Sequence, residues 1–133
     1  MNVHKGFIRT ASLLGALTVA LGAFGAHGLK KYFSPDEMQV YETAVRYQFY
    51  HVMALLAAGI LCAFYPYTCL KLSGSFFITG IILFSGSLYL LGWLEYKGME
   101  NMKWIGAITP IGGAAFIAGW IAMAWAAFKK EGN

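Results

Sequence analysis

Hydrophobic and polar positions along this chain segregate on the scale of whole helices. Four stretches, Thr10–Leu29, Tyr47–Leu70, Leu72–Leu94 and Trp104–Phe128, contain no Asp, Glu, Lys or Arg. An α-helix rises about 1.5 Å per residue, so about 20 apolar residues cross the roughly 30 Å hydrocarbon core of a bilayer. Each stretch is long enough. In lipid the backbone must satisfy its own hydrogen bonds, which leaves helices or closed barrels. The runs are continuous, too long for barrel strands and without their alternation. The pattern predicts an all-α membrane protein. Four transmembrane helices form a compact bundle, with spans near 7–29, 46–65, 72–94 and 104–128, in a single integral membrane domain over residues 1–133.

The connections carry their own signals. Ser34-Pro35-Asp36-Glu37 reads as a helix start, with Ser34 as N-cap, Pro35 in the first turn and Glu37 completing a capping box. Met38, Tyr41, Ala44 and Val45 then share one helical face. A short amphipathic helix is therefore expected between helices 1 and 2, either lying on the surface or running into helix 2. Glu42 stands four residues before Arg46, the spacing of a favourable helical ion pair. Within the spans, small residues recur at helical spacing. Gly22 and Ala26 do so in helix 1, Ser73, Gly80 and Ser87 in helix 3, and Ala114, Ala118, Ala122 and Ala126 in helix 4. Such seams let helix backbones approach closely where lipid supplies no hydrophobic drive to associate. They raise the expectation of a homo-oligomer or a membrane-protein partner.

Composition sharpens the class without changing it. Of 133 residues, 59% are hydrophobic and 12% charged, about half the usual charged share of a soluble domain. The net charge of +4 is spread over helix flanks, with no basic cluster that would read nucleic acid. Cys62 and Cys69 form neither a disulfide framework nor a CxxC metal site. No metal and no cofactor is called for. The basic Met1–Arg9 and apolar Thr10–Ala26 imitate a secretory leader, but three further spans follow, and the segment is read as an uncleaved first helix. Lys and Arg divide evenly between the two sides, while Asp36, Glu37, Glu42, Glu95 and Glu100 lie opposite the termini. Both termini are expected in the cytoplasm.

Candidate chemistry collects at the end of the bundle opposite the termini. His27 closes helix 1, Arg46, Tyr47, Gln48 and His51 open helix 2, Tyr89 and Glu95 close helix 3, and Thr109 opens helix 4 just before Pro110. If helix 2 enters the membrane near Arg46, His51 lies roughly 8 Å deep and His27 about 3–5 Å deep from the same side, close enough to be neighbours. Pro110 cannot donate to the Gly106 carbonyl, so a kink and a freed acceptor are expected there. These eight residues are the candidate ligand-binding set. Against it stands plain interhelical hydrogen bonding, which uses the same residue types.

The phrases Gly22-Ala23-Phe24-Gly25-Ala26-His27-Gly28-Leu29, Tyr41-Glu42-Thr43-Ala44-Val45-Arg46-Tyr47-Gln48-Phe49-Tyr50-His51, Leu83-Phe84-Ser85-Gly86-Ser87-Leu88-Tyr89 and Thr109-Pro110-Ile111-Gly112-Gly113 occur in order. Together they resemble the domain of unknown function 423 family, also called uncharacterised protein family 0382, to which vertebrate transmembrane protein 256 is related. The resemblance spans essentially the whole chain. It implies a small four-helix protein of a bacterial plasma membrane and carries no catalytic assignment. The family's recurring residues match His27, Ala44, Tyr47, Gln48, His51, Ser85, Gly86, Ser87, Thr109, Pro110, Gly112 and Gly113.

Three functions compete on this reading. The first is a non-enzymatic membrane module that supports membrane integrity or a partner complex, or binds a lipid or small hydrophobic ligand in the polar cluster. A small proton-linked carrier using His27 and His51 is the second; it lacks a carboxylate in the middle of any span. The third is a redox subunit with haem held between His27 and His51. Hydrolytic chemistry has no GxSxG or HExxH to rest on.

Overall fold

The computed structural model describes residues 2–99 and 102–131. Met1 and Glu100, which entered the charge reading, lie outside the described residues, as do the side chains of Lys130 and Glu131. Helix α1 spans Lys5–His27, α2 Pro35–Leu61, α3 Tyr67–Gly80, α4 Gly86–Tyr96 and α5 Lys103–Glu131. A five-residue π turn, Ile81–Ser85, joins α3 to α4 without interrupting the helical path. Four membrane-length helices result: Lys5–Lys31, Pro35–Leu61, Tyr67–Tyr96 and Lys103–Lys129.

The amphipathic segment takes the second of its two expected forms. It is the first part of α2, which begins at Pro35 instead of near residue 46. The cap explains why. Glu37 N–H donates to Ser34 Oγ at 3.2 Å, and Ser34 N–H donates to Glu37 Oε2 at 2.8 Å. Both orphan donors are satisfied and nothing downstream breaks the helix. A short 3-10 turn at Leu29–Lys31 is all that separates α1 from this start. At the other end of α2, His4 N–H donates to the Gly59 carbonyl at 2.8 Å, and His4 Nδ1 accepts from Phe7 N–H at 3.1 Å. The chain thus caps α1 with a histidine and ties it to α2 in one step. Helix α5 runs unbroken through Pro110.

The helices pack in the order α1, α2, α3–α4, α5. The most extensive contacts join α1 to α2 and α3 to α5, while α2 also packs along α3, the π turn and α4. Interlock between α5 and its neighbour is steric. Phe116 covers Gly80, Phe77 lies against Gly119, and a Cβ added at Gly112 would stand 2.4 Å from the Phe84 backbone nitrogen. Aromatic knobs fill glycine holes, and Phe77 and Phe116 belong to the main core with Phe7, Leu55 and Ile81. The face of α5 turned inward is therefore Gly112–Phe116–Gly119, with Ala126 buried at its far end. Ala114 and Ala118 stand beside it: Ala114 is exposed on a cleft and Ala118 lines a shallow groove with Leu72, Phe76 and Trp125.

Candidate functional site

Six polar side chains among the described residues are buried inside the bundle: Thr18, Gln48, His51, Ser73, Ser85 and Ser87. Among the described residues every buried side-chain polar atom has a partner. Ser73 Oγ donates to the Gly119 carbonyl of α5 at 2.7 Å, and the other five gather at three stations between helices.

The first station crosses three helices. Tyr89 O–H donates to Gln48 Oε1 at 2.7 Å, Gln48 Nε2 donates to Thr18 Oγ1 at 2.8 Å, and Thr18 O–H donates to the Leu14 carbonyl at 2.6 Å. The donors run one way, from α4 through α2 to α1. One turn outward, Tyr41 O–H donates to the Leu21 carbonyl, its ring seated where a Cβ on Gly25 would lie. The second station joins α4 to α5 by Ser87 Oγ and Thr109 Oγ1 at 2.6 Å. Beside it, Ser85 in the π turn donates to the Ala44 carbonyl of α2 at 2.8 Å.

His51 is the third station. Its Nδ1 lies 2.7 Å from the Tyr47 carbonyl, which can only accept, so Nδ1 carries the hydrogen. Trp120 Nε1–H donates to Nε2 at 3.1 Å, so Nε2 presents its lone pair. Both contacts assign the neutral imidazole with its proton on Nδ1. The ring stacks on Phe116 with centroids 3.5 Å apart and planes 8° from parallel. Neither nitrogen is left to bind a metal or accept a second donor while Trp120 stays in place.

The eight candidates therefore divide. Tyr47, Gln48, His51, Tyr89 and Thr109 enter or border the interhelical stations. His27, Arg46 and Glu95 are exposed and stand apart from them. The Glu42–Arg46 ion pair expected from spacing does not form: among the described residues neither side chain has a partner. The neighbourhood of His27 and His51 is also corrected. Helix α1 runs antiparallel to α2, with Gly15 facing Val52, Gly22 facing Val45 and Gly25 facing Tyr41. His51 is thus level with Gly15–Ala16, and His27 lies about 17 Å further along α1 by helix rise. One haem iron cannot take axial ligands so far apart. No group of three or more His, Cys, Asp or Glu gathers to hold a metal among the described residues. The depth reading failed because it started α2 at Arg46 and ignored the register against α1.

Sequence reasoning missed Thr18, Phe116, Trp120 and the π turn. Thr18 and Trp120 had a usable signal, since each is a hydrogen-bonding side chain deep in an apolar run. The π turn had none: Ile81-Ile82-Leu83-Phe84-Ser85 reads as ordinary helix.

Helices α2 and α5 meet through side chains at His51–Trp120 and leave a cleft beside them. Its cavity is ≈ 540 Å³, walled by Tyr47 and His51 on α2, Phe84 on the π turn, and Pro110, Gly113 and Trp120 on α5. The family described as "Protein of unknown function (DUF423)" matches residues 21–113, which include Gln48, Tyr89, the Ser87–Thr109 station and part of the cleft. This chain belongs to the DUF423 family. The DUF423 protein is 39% identical over 128 residues to "UPF0382 membrane protein SH2409" of Staphylococcus haemolyticus, covering 96% of this chain and 99% of that one. It is 40% identical to "UPF0382 membrane protein YwdK" of Bacillus subtilis, over 94% of this chain and 98% of the relative. A Haemophilus influenzae "UPF0382 membrane protein" is 38% identical over 94% and 95% of the two chains. No solved structure matches the DUF423 chain. Four apolar helices and relatives named as membrane proteins make it a multi-pass membrane protein of an uncharacterised family.

Proposed function

We propose that this protein is a non-enzymatic module of a bacterial plasma membrane, with both termini cytoplasmic, that holds a lipid chain or small hydrophobic ligand in the cleft between α2 and α5. One observation carries the reading: a cavity of ≈ 540 Å³ with aromatic walls, open at the bundle surface and backed by helices locked together. Binding sites of that volume are mostly apolar with a few placed polar groups. Here the polar side chains on the wall are Tyr47 and His51, the latter already bonded to Trp120. The satisfied polar stations support a structural task for the cluster and move the ligand site from the cluster to the cleft. A carrier built on His27 and His51 has no support from their separation.

The test is retention. Gly113 borders the cleft, and a Cβ added there meets only Phe84 at 3.9 Å, so Gly113→Leu starts from open space and is expected to fill the cavity. Wild-type protein purified gently from its membrane is expected to carry a reproducible bound mass in native mass spectrometry, lost in Gly113→Leu with melting unchanged. A wild-type spectrum with no bound species, or one that Gly113→Leu leaves intact, removes the cleft from the proposal.

A further inference from the structure

The opposite side of α2 carries a second feature. Glu42 and Arg46 border a cavity of ≈ 160 Å³ whose far wall is Gly22, Gly25 and Ala26 of α1. Both charged side chains are exposed and unpartnered among the described residues. Their depth makes this unusual. The register of Gly22 on Val45 and Gly25 on Tyr41 sets them level with the Leu29 half of the uncharged Thr10–Leu29 stretch. By helix rise, Glu42 lies about 6 Å and Arg46 about 12 Å inside the Leu29 end. Side chains lean toward their helix N-terminus, so both reach back toward the same membrane face. Ionisable groups inside a span are costly when they face hydrocarbon, and their persistence points to a partner.

The order of the charges selects that partner. The acid is outermost and the cation is deeper. A zwitterionic glycerophospholipid presents the complementary order: its phosphate adjoins the glycerol, and its ammonium lies further toward water. The Arg fork matches two phosphate oxygens, and a carboxylate accepts from a primary ammonium. We propose that the α1–α2 flank is a headgroup site for a phospholipid ending in a primary ammonium, with phosphate on Arg46, ammonium on Glu42 and the glycerol beside Gly22. This site is separate from the α2–α5 cleft and goes beyond the function proposed for it.

A second copy of the chain is the competing occupant, since a two-fold pair would set Glu42 of one protomer against Arg46 of the other. Exchanging the two charges separates the cases. A two-fold pair survives the exchange, because each acid still meets a base. A bound headgroup does not, because its own charge order is fixed. The experiment measures lipid retained by the protein in nanodiscs holding equal parts of phosphatidylethanolamine, phosphatidylcholine and phosphatidylglycerol. Wild type is expected to retain phosphatidylethanolamine about tenfold over the other two, the size of one or two charge-assisted hydrogen bonds. The Glu42→Arg/Arg46→Glu double variant is expected to lose that preference with unchanged melting. Gly22→Leu, whose first added atom meets Val45 at an ordinary 3.6 Å, is expected to lose it by filling the cavity with no change of charge. Equal retention of the three lipids by wild type, or a preference that outlasts the exchange, overturns the proposal. A dimer that persists in the exchanged protein without lipid preference overturns it in favour of a second copy.

Discussion

The two halves of this bundle hold together by different means. Between α3–α4 and α5 the joint is mainly steric, with Ser73 on the Gly119 carbonyl and Ser87 on Thr109 beside it: Phe116 on Gly80, Phe77 on Gly119 and Phe84 on Gly112 leave no room for a single added carbon. Between α1 and α2 the joint is looser. Gly15 and Gly22 would each tolerate a Cβ at 3.6 Å from a valine, Gly25 under the Tyr41 ring is the tightest contact of this kind, and hydrogen bonds from Gln48 and Tyr41 fix the pairing. Lipid offers no hydrophobic drive, so each joint needs either tight dispersion contact or a polar partner. Tight contact tolerates no change of volume, whereas the hydrogen-bonded joint leaves space at its edge, and that space is where Glu42 and Arg46 stand.

Three substitutions break or sharpen this contrast, the most damaging first. Gly112→Ala sets a carbon against the Phe84 backbone, which cannot rotate away; thermal unfolding in detergent should show a loss of about 3 kcal/mol, at the upper end of overpacking costs. Gln48→Leu removes two bonds from the polar station but strands only the Tyr89 hydroxyl, because Thr18 still bonds the Leu14 carbonyl. A loss of about 1 kcal/mol is expected by the same measurement, in keeping with interhelical hydrogen bonds in membranes. Should Gln48→Leu prove more harmful than Gly112→Ala, the ranking of the two joints is wrong. Ala118→Leu enlarges a residue in a shallow groove beside the tight joint, and melting should stay within about 0.5 kcal/mol of wild type. A change in oligomer size on a sizing column, with melting unchanged, would place a protein partner on that groove.

Legibility in the sequence follows the range of the interaction. The four spans and the Ser34–Glu37 cap rest on composition and on contacts three residues apart, and both can be read directly. The inward face of α5 could not be read from its alanines. Phe116, Gly112 and Gly119 define it only together with Gly80, Phe84 and Phe77 on another helix. The meeting of His51 with Trp120, 69 residues away, depends on the same unseen register. Charged residues misled the depth reading for a related reason. Arg46 looked like the start of a span, yet α2 begins eleven residues earlier, at Pro35.

The π turn has a consequence for how this protein tolerates changes of length. Residues 81–85 fit one more residue into a turn than an α-helix would, so this is the one place in the third span where a deletion can be absorbed as ordinary helix. Such a deletion would leave the phase of α4 unchanged, whereas one in the regular helix of α3 would turn everything beyond it by about 100°. In that second case Tyr89 would swing off Gln48 and Ser87 off Thr109 in the same motion. For a descendant of this chain, a codon lost at the turn keeps the later partners, and one lost from α3 changes them all.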